Sequence, residues 1–153
     1  MFLGGKSSGK KDKRIALKFN INPVPAARPR VSRWSTYYPK KYTQFKKDML
    51  ALTSELDVTP IENLVAMGMV FNVKMPTAWP KKKKLEQNGQ YCDNNVDLDN
   101  YQKAILDSLN GVLYLDDRQV VKIMTVKRWS DTPNIKIEMI PTGEEWKHLP
   151  EMN

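Results

Sequence analysis

Apolar positions along this chain change their period several times, and each change marks an element. In residues 14–21, Ile15, Leu17, Phe19 and Ile21 alternate with mostly polar neighbours, the period of a half-buried strand. Pro23, Pro25 and Pro29 then withhold backbone donors and bias the residues before them to extended conformations, so 23–36 reads as a basic loop. Between 40 and 56, Tyr42, Phe45, Met49, Leu52 and Leu56 recur at spacings of three and four, as on one face of a helix that Pro60 keeps from continuing. Residues 64–74, LVAMGMVFNVK, lose all alternation; their apolar and β-branched content predicts a central strand of antiparallel type.

After this strand MPTAWPKKKK turns away into a highly basic segment up to Gly89, with one or two helical turns. The strongest helical pattern covers 98–110. At about 100° per residue, Leu98, Tyr101, Ile105, Leu106 and Leu109 fill one arc, and Asp99, Asn100, Lys103, Asp107 and Asn110 the other. Asp99 is the expected N-cap, and Gly111 the residue that takes the left-handed conformation closing the helix. Strands at 119–129 and 134–140 follow, joined by a turn through SDTPN. The pattern predicts one α+β domain over 14–153, a mixed, mainly antiparallel sheet of about four strands packed against helices. Residues 1–13 have almost nothing to bury and read as a disordered basic tail.

Composition narrows the class. A chain of 153 residues can bury a core without covalent staples, and a lone cysteine, Cys92, cannot form an intramolecular disulfide. Residues 1–30 lack the apolar run of a signal peptide, and no stretch reaches the roughly 20 apolar residues that span a bilayer. A soluble, cytoplasmic protein with no membrane partner is expected. The net charge of +8 is unevenly spread: residues 1–47 hold 13 Lys and Arg against one acid, and residues 48–153 hold 12 against 16. Such a split predicts a surface that binds a polyanion and a separate acidic site that acts on it.

The acids gather at two places, Asp97 with Asp99 before the helix and Asp116 with Asp117 beyond it. In an extended lead-in, Asp97 and Asp99 point to the same side, and one helix and a short return can bring Asp117 back beside them. Carboxylates arranged so suit a hard cation such as Mg²⁺, which takes few protein ligands and completes its shell with water and phosphate oxygens. Three plainer readings remain open: Asp97 and Asp99 as helix-start residues, Lys103 in salt bridges with Asp99 or Asp107, and Asp116 and Asp117 as an acidic turn. A calcium loop is excluded, because the sixth and twelfth positions counted from Asp93 are Leu98 and Ala104 rather than glycine and glutamate. Cys92 and His148 lack the partners for a zinc site, and His148 reads as a surface residue.

The stretch VDLDNYQKAILDSLNGVLYLDDRQVVKI resembles the signature of the RusA family of Holliday junction resolvases: Asp-x-Asp-Asn, a lysine four residues after the second Asp, then Asp-Asp followed by Gln-Val-Val. Weaker similarity covers 23–42 and 75–84. At Val96, where relatives often carry a basic residue or proline, this chain departs from the pattern, and the lysines at 81–84 are the alternative source of that charge. The resemblance implies a RusA-like α+β homodimer, of phage or prophage type, that uses Mg²⁺, with Mn²⁺ as a substitute, to cut four-way and related branched DNA. It assigns metal binding to Asp97, Asp99 and Asp117, makes Lys103 a catalytic or phosphate-contacting lysine, and leaves Asp116 as a neighbour.

Candidates for DNA contact are Arg28, Arg30, Arg33, Lys40, Lys41, Lys81, Lys82, Lys83, Lys84 and Lys103. Trp34, Tyr37 and Tyr38 either stack on exposed bases or pack beneath the basic loop. The expected function is a Mg²⁺-dependent, structure-selective endonuclease that resolves Holliday junctions by paired nicks in recombination and repair. Its rivals are a nuclease of flaps, forks or other branched DNA, and a non-enzymatic basic DNA-binding protein.

Overall fold

The residue run from Val65 to Phe71 is buried without interruption, so the strand that carries it must be covered on both sides and both edges. The computed structural model describes residues 14–141. In it β4 (Val65–Lys74) pairs antiparallel with β6 (Asn134–Pro141) and parallel with β5 (Val120–Ser130). β1 (Ile15–Phe19) lies antiparallel to β6 at the edge, giving the order β1-β6-β4-β5. The α+β class and the mixed, mainly antiparallel sheet of four strands are as the sequence predicts. The antiparallel type expected for the central strand holds on its β6 side and is corrected on its β5 side. The chain from β4 to β5 crosses over through α2 (Lys81–Gln87) and α3 (Leu98–Leu109), and a crossover of this kind returns a strand parallel to its predecessor.

Met67, Met69 and Phe71 of β4 alternate onto the same face as Met139, Ile137 and Ile135, their partners on β6. Two helices cover that face. α1 (Lys40–Ser54) contributes Tyr42, Phe45 and Met49, and α3 contributes Tyr101, Ala104, Ile105 and Leu109, all buried. Phe71 and Tyr101 stack with ring centroids 5.3 Å apart. Each large side chain removed from water here contributes about 1.5–3 kcal/mol, which fixes α3 against the sheet and turns its polar arc outward.

The ends of α3 differ from expectation at one side only. Asp97, with φ −66° and ψ 135°, is the N-cap, and Asp99 lies in the first turn. Val96 and Leu98 both pack against the core, and the carbonyl of Val96 is taken by Lys127 at 2.6 Å, so the helix can begin only after Asp97. At the other end Gly111 has φ +77°, and its N–H donates to the carbonyl of Tyr114 at 2.8 Å. The segment 23–36, expected to be a loop, contains a short hairpin of β2 (Arg30–Val31) and β3 (Thr36–Tyr37). The predicted tail at 1–13 and His148 lie outside the described residues. Among the described residues no helix is long and apolar enough to cross a membrane.

Candidate active site

The outward arc of α3 presents Asp99 and Lys103 to solvent, with Asp107 half-buried below them. Asp97 is exposed at the helix start and makes no side-chain capping bond, so its carboxylate is not consumed in holding the helix. Lys103 Nζ lies 3.4 Å from Asp107 Oδ1, and among the described residues this is its salt bridge. The other oxygen, Asp107 Oδ2, accepts the phenolic hydrogen of Tyr42 at 2.8 Å. Burial, then this bond and the charge of Asp107, raise Tyr42 above the ordinary phenol range, so it stays a neutral donor. Lys103 is thus held loosely by a carboxylate that α1 holds firmly.

The second acidic pair divides into two roles. Asp116 caps a 3-10 turn (Asp117–Gln119): its Oδ1 accepts from Arg118 N–H at 3.0 Å, while its own N–H donates to Gln119 Oε1 at 2.8 Å. Gln119, buried, donates from Nε2 to the carbonyls of Ile61 and Asn63, both at 2.8 Å, and so anchors the turn to the segment before β4. Asp117 is half-buried, with Oδ1 3.0 Å from the hydroxyl of Tyr114, which also lies 2.8 Å from the Leu106 carbonyl. Burial raises its pKa, and the charges of Asp107 and Asp116 add to the rise, while the Tyr114 bond and Lys103 oppose it. The turn therefore returns against the second half of α3, beside Asp107 and Lys103.

Among the described residues no three acidic, histidine or cysteine side chains stand close enough together to enclose a metal. Asp97 and Asp99 sit at the start of α3, and the electrostatic neighbours of Asp117 are Asp107, Asp116 and Lys103. Mg²⁺ needs no closed cage: it is held by one or two carboxylates and keeps its waters for exchange with phosphate oxygens. Hard oxygen donors, exposed at Asp97 and Asp99 and half-buried among like charges at Asp117, are of the type such a cation takes, although the first pair and Asp117 are not gathered at one point.

Sequence reasoning missed the residue that fixes the lead-in to α3. Lys127 reaches from β5 to Asn94 Oδ1 at 2.8 Å, to the Asn94 carbonyl at 3.3 Å and to the Val96 carbonyl at 2.6 Å. Asn94 Nδ2 donates in turn to the hydroxyl of Tyr101 at 2.9 Å. The signal was present as parity: Ile123, Thr125, Lys127 and Trp129 share the core-facing side of β5, and a lysine there needs buried acceptors.

The basic candidates fall into two groups. The carbonyl of Asn100, in the first turn of α3, accepts Ala26 N–H at 2.8 Å, and Tyr42 reaches Asp107 near the helix's far end. Residues 27–41 therefore leave α3 at one point and return to it at another, and Arg28, Arg30, Arg33, Lys40 and Lys41 are exposed on this span. Lys81, Lys82 and Lys83 are exposed on α2, and Lys84 is partly covered. Lys83 Nζ stands 4.3 Å from the centre of the Trp79 ring, which meets Trp129 edge-on at 4.9 Å. This group surrounds the ends of β4 and β5, with Lys74, Lys81, Lys84, Asn88 and Asp131 lining a shallow recess.

The family described as Endodeoxyribonuclease RusA matches residues 20–140, from just after β1 to the end of β6. The chain is also similar to the uncharacterized protein YqaN of Bacillus subtilis (strain 168): 30% identical over 132 residues, 79% of this chain and 93% of that protein.

Proposed function

Because this chain belongs to the RusA family of endodeoxyribonucleases, we propose that it is a Mg²⁺-dependent nuclease that resolves four-way DNA junctions by paired nicks in recombination and repair. It would act in the cytoplasm of a bacterium or of a phage-infected host. The observation that carries this reading is the single helix face where Asp99 and Lys103 are exposed and against which the chain returns Asp117, beside a basic span.

Asp97, Asp99 and Asp117 would hold Mg²⁺, or Mn²⁺ in its place. When bound, such an ion supplies positive charge against the scissile phosphate and lowers the pKa of water. Lys103, with 65% of its side chain exposed, can release Asp107 and meet a phosphate oxygen, since an exposed i,i+4 pair is worth only a few tenths of a kcal/mol. Asp107, fixed by Tyr42, keeps the ammonium over the site between encounters. Arg28, Arg30, Arg33, Lys40 and Lys41, with Lys81, Lys82, Lys83 and Lys84, would grip phosphates, which makes binding steeply salt-dependent. Two strands must be cut to resolve a junction, and a homodimer supplies two symmetry-related sites for this.

The experiment is cleavage of synthetic four-way junctions, flaps and linear duplexes in Mg²⁺, by wild-type protein and Asp117→Asn. Symmetric nicks in the junction, lost by at least about 100-fold in the variant with junction binding retained, are expected from a metal ligand. Nicks confined to flaps would replace the substrate, and no Mg²⁺-dependent nicking of any DNA would overturn the reading.

A further inference from the structure

Among the described residues two aromatic side chains stand well out of the fold: Tyr91, 70% exposed with Arg128 over its ring, and a tryptophan exposed further still. Trp34 is 87% exposed at the tip of the β2–β3 hairpin, beside Val31 at 81% and Tyr37 and Tyr38 at 51% each. Packing beneath the basic loop, the alternative the sequence left open for these aromatics, is therefore not what Trp34 does, whereas Tyr38 rests against the buried Tyr42 with ring centroids 6.4 Å apart. We propose that this hairpin is a stacking wedge, in which Trp34 lies against an unpaired base at the branch point of DNA held on the α3 face. The inference rests on the branched-DNA reading and adds to it the residue that recognises the branch.

Position is the first support. The span carrying the hairpin is tied at Asn100 and at Asp107, seven residues and about 10 Å apart along α3, with Lys103 between them. Whatever the hairpin touches is thus anchored next to the proposed chemistry.

Rigidity is the second. Ser32 Oγ accepts from the N–H groups of Trp34 and Ser35 at 3.3 and 3.0 Å, and Ser32 N–H donates to the Ser35 carbonyl at 2.7 Å. A turn closed by the Ser32 side chain fixes the backbone that carries the indole, so less entropy is lost when it stacks.

Charge selects the occupant. Residues 14–47 contain no acid, and the Arg33 guanidinium lies 5.8 Å from the Trp34 ring centre. A second copy of this basic hairpin would be repelled, whereas a phosphate backbone is attracted and an aromatic base can take the open indole face. Duplex DNA keeps its bases stacked; a branch point offers them unstacked. Phosphate grip alone would not need the indole.

The test uses full-length protein, a four-way junction carrying 2-aminopurine beside the crossover, and no divalent cation, so that nothing is cut. Wild-type protein should change the 2-aminopurine emission. Trp34→Ala should abolish that change and weaken junction binding about ten-fold, with linear duplex binding unaltered, and Trp34→Phe should restore part of both. A wild-type-sized emission change that persists in Trp34→Ala, or equal weakening on linear duplex, overturns the wedge. So does a shift from dimer to monomer in sedimentation, which would place the indole at a protein interface. Absence of nicking by wild-type protein on every branched DNA in a parallel Mg²⁺ assay, with a Trp34-dependent emission change present, would remove the nuclease reading and leave the wedge standing.

Discussion

Tyr42 on α1 donates its phenolic hydrogen to Oδ2 of Asp107 on α3 at 2.8 Å, joining residues 65 positions apart in the chain. That carboxyl has Lys103 on its other oxygen, so the proposed catalytic lysine is oriented from a helix to which it does not belong. Tyr42→Phe keeps the ring in the core and removes only the donor. We expect a stability loss of about 1–2 kcal/mol by denaturant unfolding. Junction nicking should slow several-fold while junction affinity stays the same, because Lys103 is left free to wander.

Lys127→Met tests the lead-in to α3. The methionine fills similar space in the core-facing row of β5, but leaves the carbonyls of Asn94 and Val96 and the amide oxygen of Asn94 without their shared donor. The expected cost is about 2 kcal/mol. The more telling readout is a Mg²⁺ titration of nicking: half-saturation should rise severalfold, because Asp97 follows directly on the released segment. An unchanged titration with reduced stability would confine Lys127 to the fold.

Alkaline pH should weaken the domain in a defined direction. Burial raises the phenols of Tyr42, Tyr101 and Tyr114 above the usual value, so each holds its proton more tightly folded than unfolded. Stability they contribute is complete below the unfolded value of about 10 and is lost progressively as pH rises beyond it. Denaturation midpoints measured from pH 8 to pH 11 should fall above pH 10, and the fall should be shallower in Tyr42→Phe.

What the sequence displayed and what it hid divide along physical lines. The face of α3 and the glycine that closes it were legible because both depend on residues within a few positions of one another, Leu98 through Gly111. The helix starts at Leu98 as expected, but its N-cap is Asp97 rather than Asp99, two residues earlier, where a distant lysine, Lys127, holds the lead-in. The parallel side of β4 left no trace in composition, since a strand buried on both faces reads alike whichever way its neighbour runs. The hairpin was hidden for the opposite reason: strands of two residues with exposed side chains have no period to detect. At the site, the separation of Asp116 from Asp117 could be matched by resemblance, but its cause lies in Gln119 reaching Ile61 and Asn63.

The parallel pairing of β4 with β5 also bears on how the protein comes into being. Asp97, Asp99, Lys103, Asp107 and Asp117 all lie on the connection between Lys74, where β4 ends, and Val120, where β5 begins. Closing that connection loses chain entropy before the strand pairing can repay it, which slows the search for the native state. A growing polypeptide carries all these acids before β5 emerges from the ribosome, yet nothing local sets them side by side. Assembly of the proposed cutting centre is thereby coupled to completion of the sheet.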